Sequence, residues 1–138
     1  MNSTATVTNQ MFPARRGRIA VIALWTIQVA LAAMFLMAGT GKLTGAPAMV
    51  GLFDAIGIGQ WFRYVTGTIE VTSAIALLVP SLAPFGAAAL VGTMTGAIAT
   101  HLFIVGGSPA VPLVLLLGAL GVWWARRDQF FAVLSRLF

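Results

Sequence analysis

The feature that most constrains this chain is an apolar run from Ile19 to Ala38 that carries no charge and directly follows Arg15, Arg16 and Arg18. Twenty helical residues rise about 30 Å, which matches the hydrocarbon thickness of a bilayer. A signal peptide also places basic residues before an apolar segment, but that segment has only about 7–15 residues. The run therefore predicts a retained transmembrane helix.

Three more apolar runs follow, and together the four predict spans at about 19–38, 62–79, 84–104 and 109–125. The second run ends at Pro80, which cannot continue a helix, and the fourth opens with Ser108 as N-cap and Pro109 as first helical residue. Only 8% of the residues are charged and 59% are hydrophobic, which excludes a soluble domain and a disordered chain. The predicted fold class is an all-α bundle of four transmembrane helices.

The rest of the chain divides simply around this bundle. Residues 1–14 are predicted to be a flexible tail, 15–127 the membrane domain, and 128–138 a short C-terminal tail. The long connection between the first two spans contains Pro47, which can begin a short helix. Its apolar side chains share one face, so we expect it to lie on the membrane surface or to fold over the bundle: Met49, Leu52, Phe53 and Ile56.

The basic residues predict the orientation of the bundle. With both termini cytoplasmic, only Lys42 and Arg63 of the eight basic residues lie on the far side, as the positive-inside rule requires. Trp123 and Trp124 beside Arg126 agree with an interfacial belt. We therefore expect the cytoplasmic membrane of a bacterium or archaeon and contact with lipid. The net charge of +5 is explained by topology, so no nucleic-acid partner is predicted.

Glu70 is the one ionisable residue well inside a predicted span, about 12 Å along the helix from Phe62. A charge at the centre of a membrane helix costs about 2.5–3.5 kcal/mol, so Glu70 should face the bundle and not the lipid. Its neighbours on the helix are small or hydroxylated. Thr66 and Ser73 are therefore predicted as supporting polar positions.

The first helix carries a stripe of residues at alternating spacings of three and four, which places them on one inward face: Trp25, Gln28, Ala32, Phe35, Gly39 and Lys42. Gln28 is a third supporting polar position. His101 closes a similar stripe in the third span, and histidine can exchange a proton near neutral pH. Lys42, Glu70 and His101 are thus predicted to line a ligand pocket at the outer end of the bundle.

Structural interpretations of the same residues stay open. An ion pair between Lys42 and Glu70 can serve only to fix helix register, His101 can simply meet interfacial water, and Gln28 can link helices by hydrogen bonds. Gly92 and Gly96 form a close-packing motif that leaves a homo-oligomer open.

Several chemistries are excluded by what the sequence lacks. The chain has no cysteine and one histidine, which removes iron–sulfur clusters, thiol relays, cysteine zinc sites and bis-histidine haem. The segment 39–43 lacks the first glycine and the Ser or Thr of a phosphate loop, and no Gly-x-Ser-x-Gly elbow occurs. No metal site is predicted, and no catalytic residue is assigned.

The order and spacing of these motifs resemble a known family. Gly39-x-x-Lys42-Leu43 closing the first helix, a long loop, and then Gly67-x-x-Glu70 in the second helix resemble the DoxX and DoxX-like family of small four-helix membrane proteins, over about 19–124. His101 is similar to a polar position of that family. The resemblance implies a link to a membrane thiosulfate:quinone oxidoreductase, of which the archaeal namesake is a subunit, and other members are proposed to join membrane redox complexes.

Three functional hypotheses follow. The first is an accessory subunit of a membrane redox complex that binds a quinone or another lipophilic molecule at Lys42, Glu70 and His101. Any enzymatic role would then be that of an oxidoreductase subunit, while the absence of cysteine argues against a sulfur relay. The second is a non-enzymatic scaffold or assembly partner for another membrane protein. The third is a proton-coupled transporter, which the lack of an inverted repeat disfavours.

Overall fold

The computed structural model describes residues 13–138, with side chains from residue 17 onward, and this part of the chain is helical throughout apart from short connections. Of the tail predicted at residues 1–14, residues 1–12 lie outside the described residues, and the last two belong to the first helix. The helices are α1 (Pro13–Thr44), α2 (Pro47–Ile56), α3 (Gln60–Leu77), α4 (Ala83–Thr100), which continues as a π-helical turn (His101–Val105), and α5 (Ala110–Leu137).

Three of these helices are long and apolar enough to cross a membrane: Gly17–Thr44, Ala83–Val105 and Ala110–Leu137. Helix α3 has 18 residues and includes most of the second predicted span, but Arg63 and Glu70 lower its apolar character. The all-helical class is therefore confirmed, whereas the count of four spans and the orientation of the termini stay predictions.

Two helices run further than the apolar runs that predicted them. Helix α1 continues six residues past Ala38 and ends where Gly45 adopts φ of 74° and the Ala46 amide donates to the Gly41 carbonyl at 2.9 Å, which is a Schellman motif. Helix α5 continues through residues 128–137, assigned above to a tail. Hydropathy marks where lipid contact ends, but backbone hydrogen bonds carry a helix into the interface.

The core forms where α1 packs on α3, α3 on α4, and α4 on α5. It includes Phe35 from α1, Leu77 from α3, Leu90 from α4 and Val122 from α5, all fully buried. The inward stripe predicted for the first helix is confirmed, because Gln28, Ala32, Phe35 and Gly39 are all buried.

Helices α1 and α3 are antiparallel and cross at two glycines. A Cβ atom at Gly39 would lie 2.9 Å from the Gly67 carbonyl oxygen, and one at Gly67 would lie 3.1 Å from the Gly39 carbonyl oxygen. Only residues without side chains allow two backbones to approach this closely. The crossing fixes how the polar residues one turn away from it are placed.

The predicted short helix over 47–56 is confirmed as α2, which begins at Pro47 and ends where Gly57 is left-handed. Its Phe53 is buried, with a ring centroid 5.8 Å from that of Phe62 in α3. Since α2 contacts α1, α3 and the π-helical turn, it folds over the end of the bundle.

Candidate functional site

Lys42 and Glu70 form a charge pair between α1 and α3. The Lys42 ammonium donates to Glu70 Oε2 at 2.7 Å and to Oε1 at 2.9 Å. The glutamate side chain is 2% exposed and the lysine side chain 13% exposed. The carboxylate of the pair is therefore buried, and the lysine is its more exposed member.

The glycine crossing explains why these two residues meet. A Cβ at Gly67 would lie 3.0 Å from Lys42 Cβ, while Gly39 packs on Val71 beside Glu70. Side chains on a helix lean toward its N-terminus. Because α1 and α3 are antiparallel, Lys42 and Glu70 therefore lean toward each other across the crossing point.

Arg63 links this pair to the cover provided by α2. Its guanidinium donates to the backbone carbonyl of Lys42 and, through Nε, to Gln60 Oε1 at 2.6 Å. Gln60 Nε2 in turn donates to Asp54 Oδ1 at 2.6 Å and to the Val50 carbonyl at 3.0 Å on α2. A cation at the C-terminal turn of α1 also stabilises its macrodipole.

His101 lies apart from the charge pair. Its Nδ1 is 2.8 Å from the Ala97 carbonyl oxygen one turn earlier, and neither ring nitrogen forms a hydrogen bond or ion pair with Glu70. The residue is partly exposed where α4 changes to the π-helical turn, which packs against α2. The structure thus brings Lys42 and Glu70 together and leaves the third predicted residue outside that contact.

The supporting polar positions also separate. The Thr66 hydroxyl donates within α3, to the carbonyls of Phe62 at 3.0 Å and Arg63 at 3.1 Å. Ser73 is 5% exposed, and its backbone faces the contact with α4, where a Cβ at Gly86 would lie 2.7 Å from the Ser73 carbonyl oxygen. Neither side chain is hydrogen-bonded to the charge pair.

Gln28 belongs to a second polar cluster, about 21 Å along α1 from Lys42. Its Nε2 donates to the Leu77 carbonyl at 2.5 Å and its Oε1 accepts from Arg126 Nε at 2.8 Å. The side chain is fully buried, so it joins α1, α3 and α5, as interhelical hydrogen bonding requires. It does not support the charge pair.

Comparison with known families now adds to this geometry. The family model described as the DoxX-like family matches residues 26–128, most of the chain. The chain belongs to the DoxX-like family. No curated protein matches it, and no solved structure matches it. Family membership and the three long apolar helices together identify an integral membrane protein that contacts lipid.

In this DoxX-like protein the charge pair offers one unused donor. An ammonium group has three N–H donors, and within the described residues those of Lys42 form two hydrogen bonds, both to Glu70. A charged donor of this kind binds a carbonyl or phosphate oxygen more strongly than a neutral one. The site is therefore suited to hydrogen-bond a small acceptor.

Two buried arginines were missed by treating them as ordinary interfacial charges or topology signals. Arg63 is 4% exposed and Arg126 is 8% exposed. The spacing could have found both, because Arg63 lies seven residues before Glu70 and Arg126 four residues after the buried Val122, on the inward faces of α3 and α5. A position near the end of an apolar run indicates a boundary charge, whereas the helical spacing indicates the inward face that both residues occupy.

Proposed function

We propose that this DoxX-like protein is an accessory subunit of a membrane redox complex and that it binds the head group of a quinone at Lys42. The observation that carries the proposal is the buried charge pair with one unused N–H donor on Lys42. Quinone carbonyls are hydrogen-bond acceptors, and a lipid-soluble ligand reaches such a site from the bilayer. A bound quinone would supply the electron-accepting chemistry for partner subunits.

The residues around the pair support a binding role that is limited to holding and orienting the ligand. Glu70 fixes the ammonium of Lys42 with both carboxylate oxygens, so the remaining donor has a defined direction. His101 lies at the same end of the bundle, beside α2, and we propose that its Nε2 faces the tail or ring of the bound molecule. The Nδ1 position is occupied by the Ala97 carbonyl.

The test is quinone binding by the purified protein in mild detergent. Native mass spectrometry with short-chain ubiquinone and menaquinone should show a bound quinone on the unaltered chain. Lys42→Met removes the donor, and loss of one charged hydrogen bond should weaken binding by about tenfold or more. Thr68→Val, on the exposed face of α3, is the matched control and should bind as the unaltered chain does.

The double exchange Lys42→Glu with Glu70→Lys separates binding from stability. It keeps a pair of opposite charges but puts an acceptor where the proposed donor stands, so it should fold and fail to bind quinone. Absence of quinone from the unaltered chain, or equal binding by Lys42→Met, would exclude the proposal.

A scaffold or assembly function is a second candidate, favoured by the enclosed carboxylate of Glu70 and its two bonds to Lys42. In that case the pair orients α1 against α3 and a partner protein, or a second copy, binds elsewhere. The charge exchange would then retain both stability and a co-purifying partner, and no variant would show quinone binding.

We further propose that α3 is the fourth span and that both termini are cytoplasmic. Its buried polar residues face α1 and α4, which explains its lower hydropathy, and 18 residues rise about 27 Å. The absence of cysteine allows single thiols to be placed cleanly. In intact cells an impermeant maleimide should label Ser108→Cys but not Ser81→Cys or Ser135→Cys, whereas three spans would reverse this pattern.

A further inference from the structure

Arg126 is a buried cation without an anionic partner. It is 8% exposed, and its hydrogen bonds go to two neutral side-chain amides, from Nε to Gln28 at 2.8 Å and from Nη1 to Gln129 at 3.4 Å. Its guanidinium also lies 5.5 Å from the centroid of the Trp25 ring. No hydrogen bond of Nη2 occurs among the described residues.

The chain has no carboxylate side chain to spare for Arg126. It contains three acidic residues, and all three lie in the described part. Glu70 is paired with Lys42, Asp54 accepts from Gln60 on the α2 side of the bundle, and Asp128 is 97% exposed beside Arg127. A buried charge is costly unless it is paired, and no acidic side chain of the chain pairs with Arg126.

A second arginine beside it, whose side chain is half-exposed, also has an unused donor. Arg127 stacks on the Trp124 ring at 3.9 Å, and its Nη1 atom is buried with no hydrogen-bond partner among the described residues. Its distance to Asp128 Oδ1 is 3.9 Å, at the limit of an ion pair. Two consecutive guanidinium groups thus have unused donors beside an exposed tryptophan.

We propose that Arg126 and Arg127 bind the phosphate head group of an anionic phospholipid. Arginine matches phosphate oxygens with paired N–H donors, and tryptophan lies at the head-group level of a bilayer. Basic sites between transmembrane helices bind anionic lipids in this way. The lipid phosphate supplies the negatively charged partner that the buried Arg126 lacks.

The surroundings favour a lipid over an acidic segment of a protein. Trp124 is 64% exposed and Leu120, one turn earlier on the same side, is 39% exposed, so an apolar surface suited to acyl chains continues from the arginines along α5. The α1 residues near this end add the exposed Arg18 and no acidic side chain. A positive interface followed by an apolar face is complementary to an anionic lipid molecule as a whole.

The experiment measures lipid retention and lipid-dependent melting of the full chain in mild detergent. Native mass spectrometry after addition of phosphatidylglycerol, cardiolipin or phosphatidylcholine should show retained anionic lipid and little phosphatidylcholine. Arg126→Gln should lower the affinity for phosphatidylglycerol by about tenfold. Arg136→Gln, which removes an exposed charge from the last turn of the same helix, is the matched control and should keep most of the affinity.

Further measurements distinguish lipid phosphate from free phosphate and separate loss of lipid binding from misfolding. Inorganic phosphate should not raise the melting temperature, and an equal rise with phosphate and with phosphatidylglycerol would overturn the lipid assignment. If Arg126→Gln does not fold, Arg127→Gln and Arg126→Lys are compared, and unchanged lipid preference in both overturns the proposal. An equal loss of phosphatidylglycerol affinity in Arg136→Gln also overturns the proposal. Retention of an acidic protein instead of lipid by the purified chain overturns it as well.

Discussion

The two polar clusters of this protein lie at opposite ends of the α1–α3 pair. Each contains a buried charged side chain, but the two clusters compensate that charge differently. At one end Lys42 and Glu70 neutralise each other, with both carboxylate oxygens bonded. At the other end Arg126 is held by the neutral amide of Gln28. One cluster carries no net charge and the other keeps a full positive charge.

Both clusters nevertheless perform the same backbone task. Because α1 and α3 are antiparallel, each helix ends beside the other. Arg63 from α3 donates to the Lys42 carbonyl in the last turn of α1, and Gln28 from α1 donates to the Leu77 carbonyl at the end of α3. The carbonyls of a last helical turn have no partner within the helix. The two clusters therefore differ in net charge, and net charge determines which ligand or lipid each cluster can bind.

The largest effect should come from breaking the charge pair on one side only. Lys42→Met leaves the buried carboxylate of Glu70 without a counter-ion and should lower the free energy of unfolding by about 3–5 kcal/mol. Glu70→Gln should cost less, because the flexible lysine can turn its ammonium toward the interface. Reversible unfolding in mixed micelles measures both, and equal losses would show that burial of the carboxylate is not decisive.

The second largest loss of stability should follow substitution at the glycine crossing, which lies near the charge pair. Gly39→Ala places a methyl group 2.7 Å from Val71 Cγ2 and 2.9 Å from a backbone oxygen, so the helices must separate, at a cost of about 1–3 kcal/mol. Gly121→Ala, where nothing lies within 4 Å, is the control and should be neutral or mildly stabilising. The same micelle titration checks both, and a neutral Gly39→Ala would contradict the close approach.

The hydrogen bonds of Gln28 at the opposite end should contribute somewhat less to the free energy of unfolding. Gln28→Leu leaves the Leu77 carbonyl without its side-chain donor and Arg126 Nε without its acceptor, and should cost about 1–2 kcal/mol. Thr26→Val, on the exposed face of the same helix, should change the free energy of unfolding by less than about 0.5 kcal/mol. A loss as large as that of Lys42→Met would make the two clusters equivalent and remove the comparison.

The smallest effect should follow loss of the α3 arginine that bonds the last turn of α1. Arg63→Gln removes the donor to the Lys42 carbonyl and a favourable charge at a helix C-terminus, worth about 1 kcal/mol. Arg136→Gln, at the exposed end of α5, provides the control. Hydrogen exchange should rise at residues 42–45 in Arg63→Gln and stay unchanged in the control, and unchanged exchange in both would refute the proposed cap.

Much of the fold could be predicted because the bilayer imposes simple rules on the sequence. Apolar runs gave the helices, and alternating spacings of three and four gave the inward stripe of α1, including Gln28 and Gly39. The apolar runs are shorter than the helices that contain them, since α1 continues to Thr44 and α5 to Leu137. Backbone hydrogen bonding, unlike hydropathy, does not stop at the edge of the hydrocarbon.

The candidate site was only partly predictable from the same rules. Spacing put Lys42 and Glu70 on inward faces, and they meet in the structure. It put His101 near the same end but could not show that its Nδ1 is taken by Ala97. The position of Arg63 and Arg126 near the ends of apolar runs led to their interpretation as boundary charges, although both are buried.

The sequence by itself determined which helices form and, for most inward-facing residues, which face turns toward the bundle, because one residue follows another at a fixed 100° around a helix. Only the tertiary structure decided which polar groups pair. Pairing depends on the relative height and distance of two helices, and the crossing of Gly39 over Gly67 sets both. Thus Lys42 has an anion within 3 Å, whereas Arg126 has the neutral amide of Gln28.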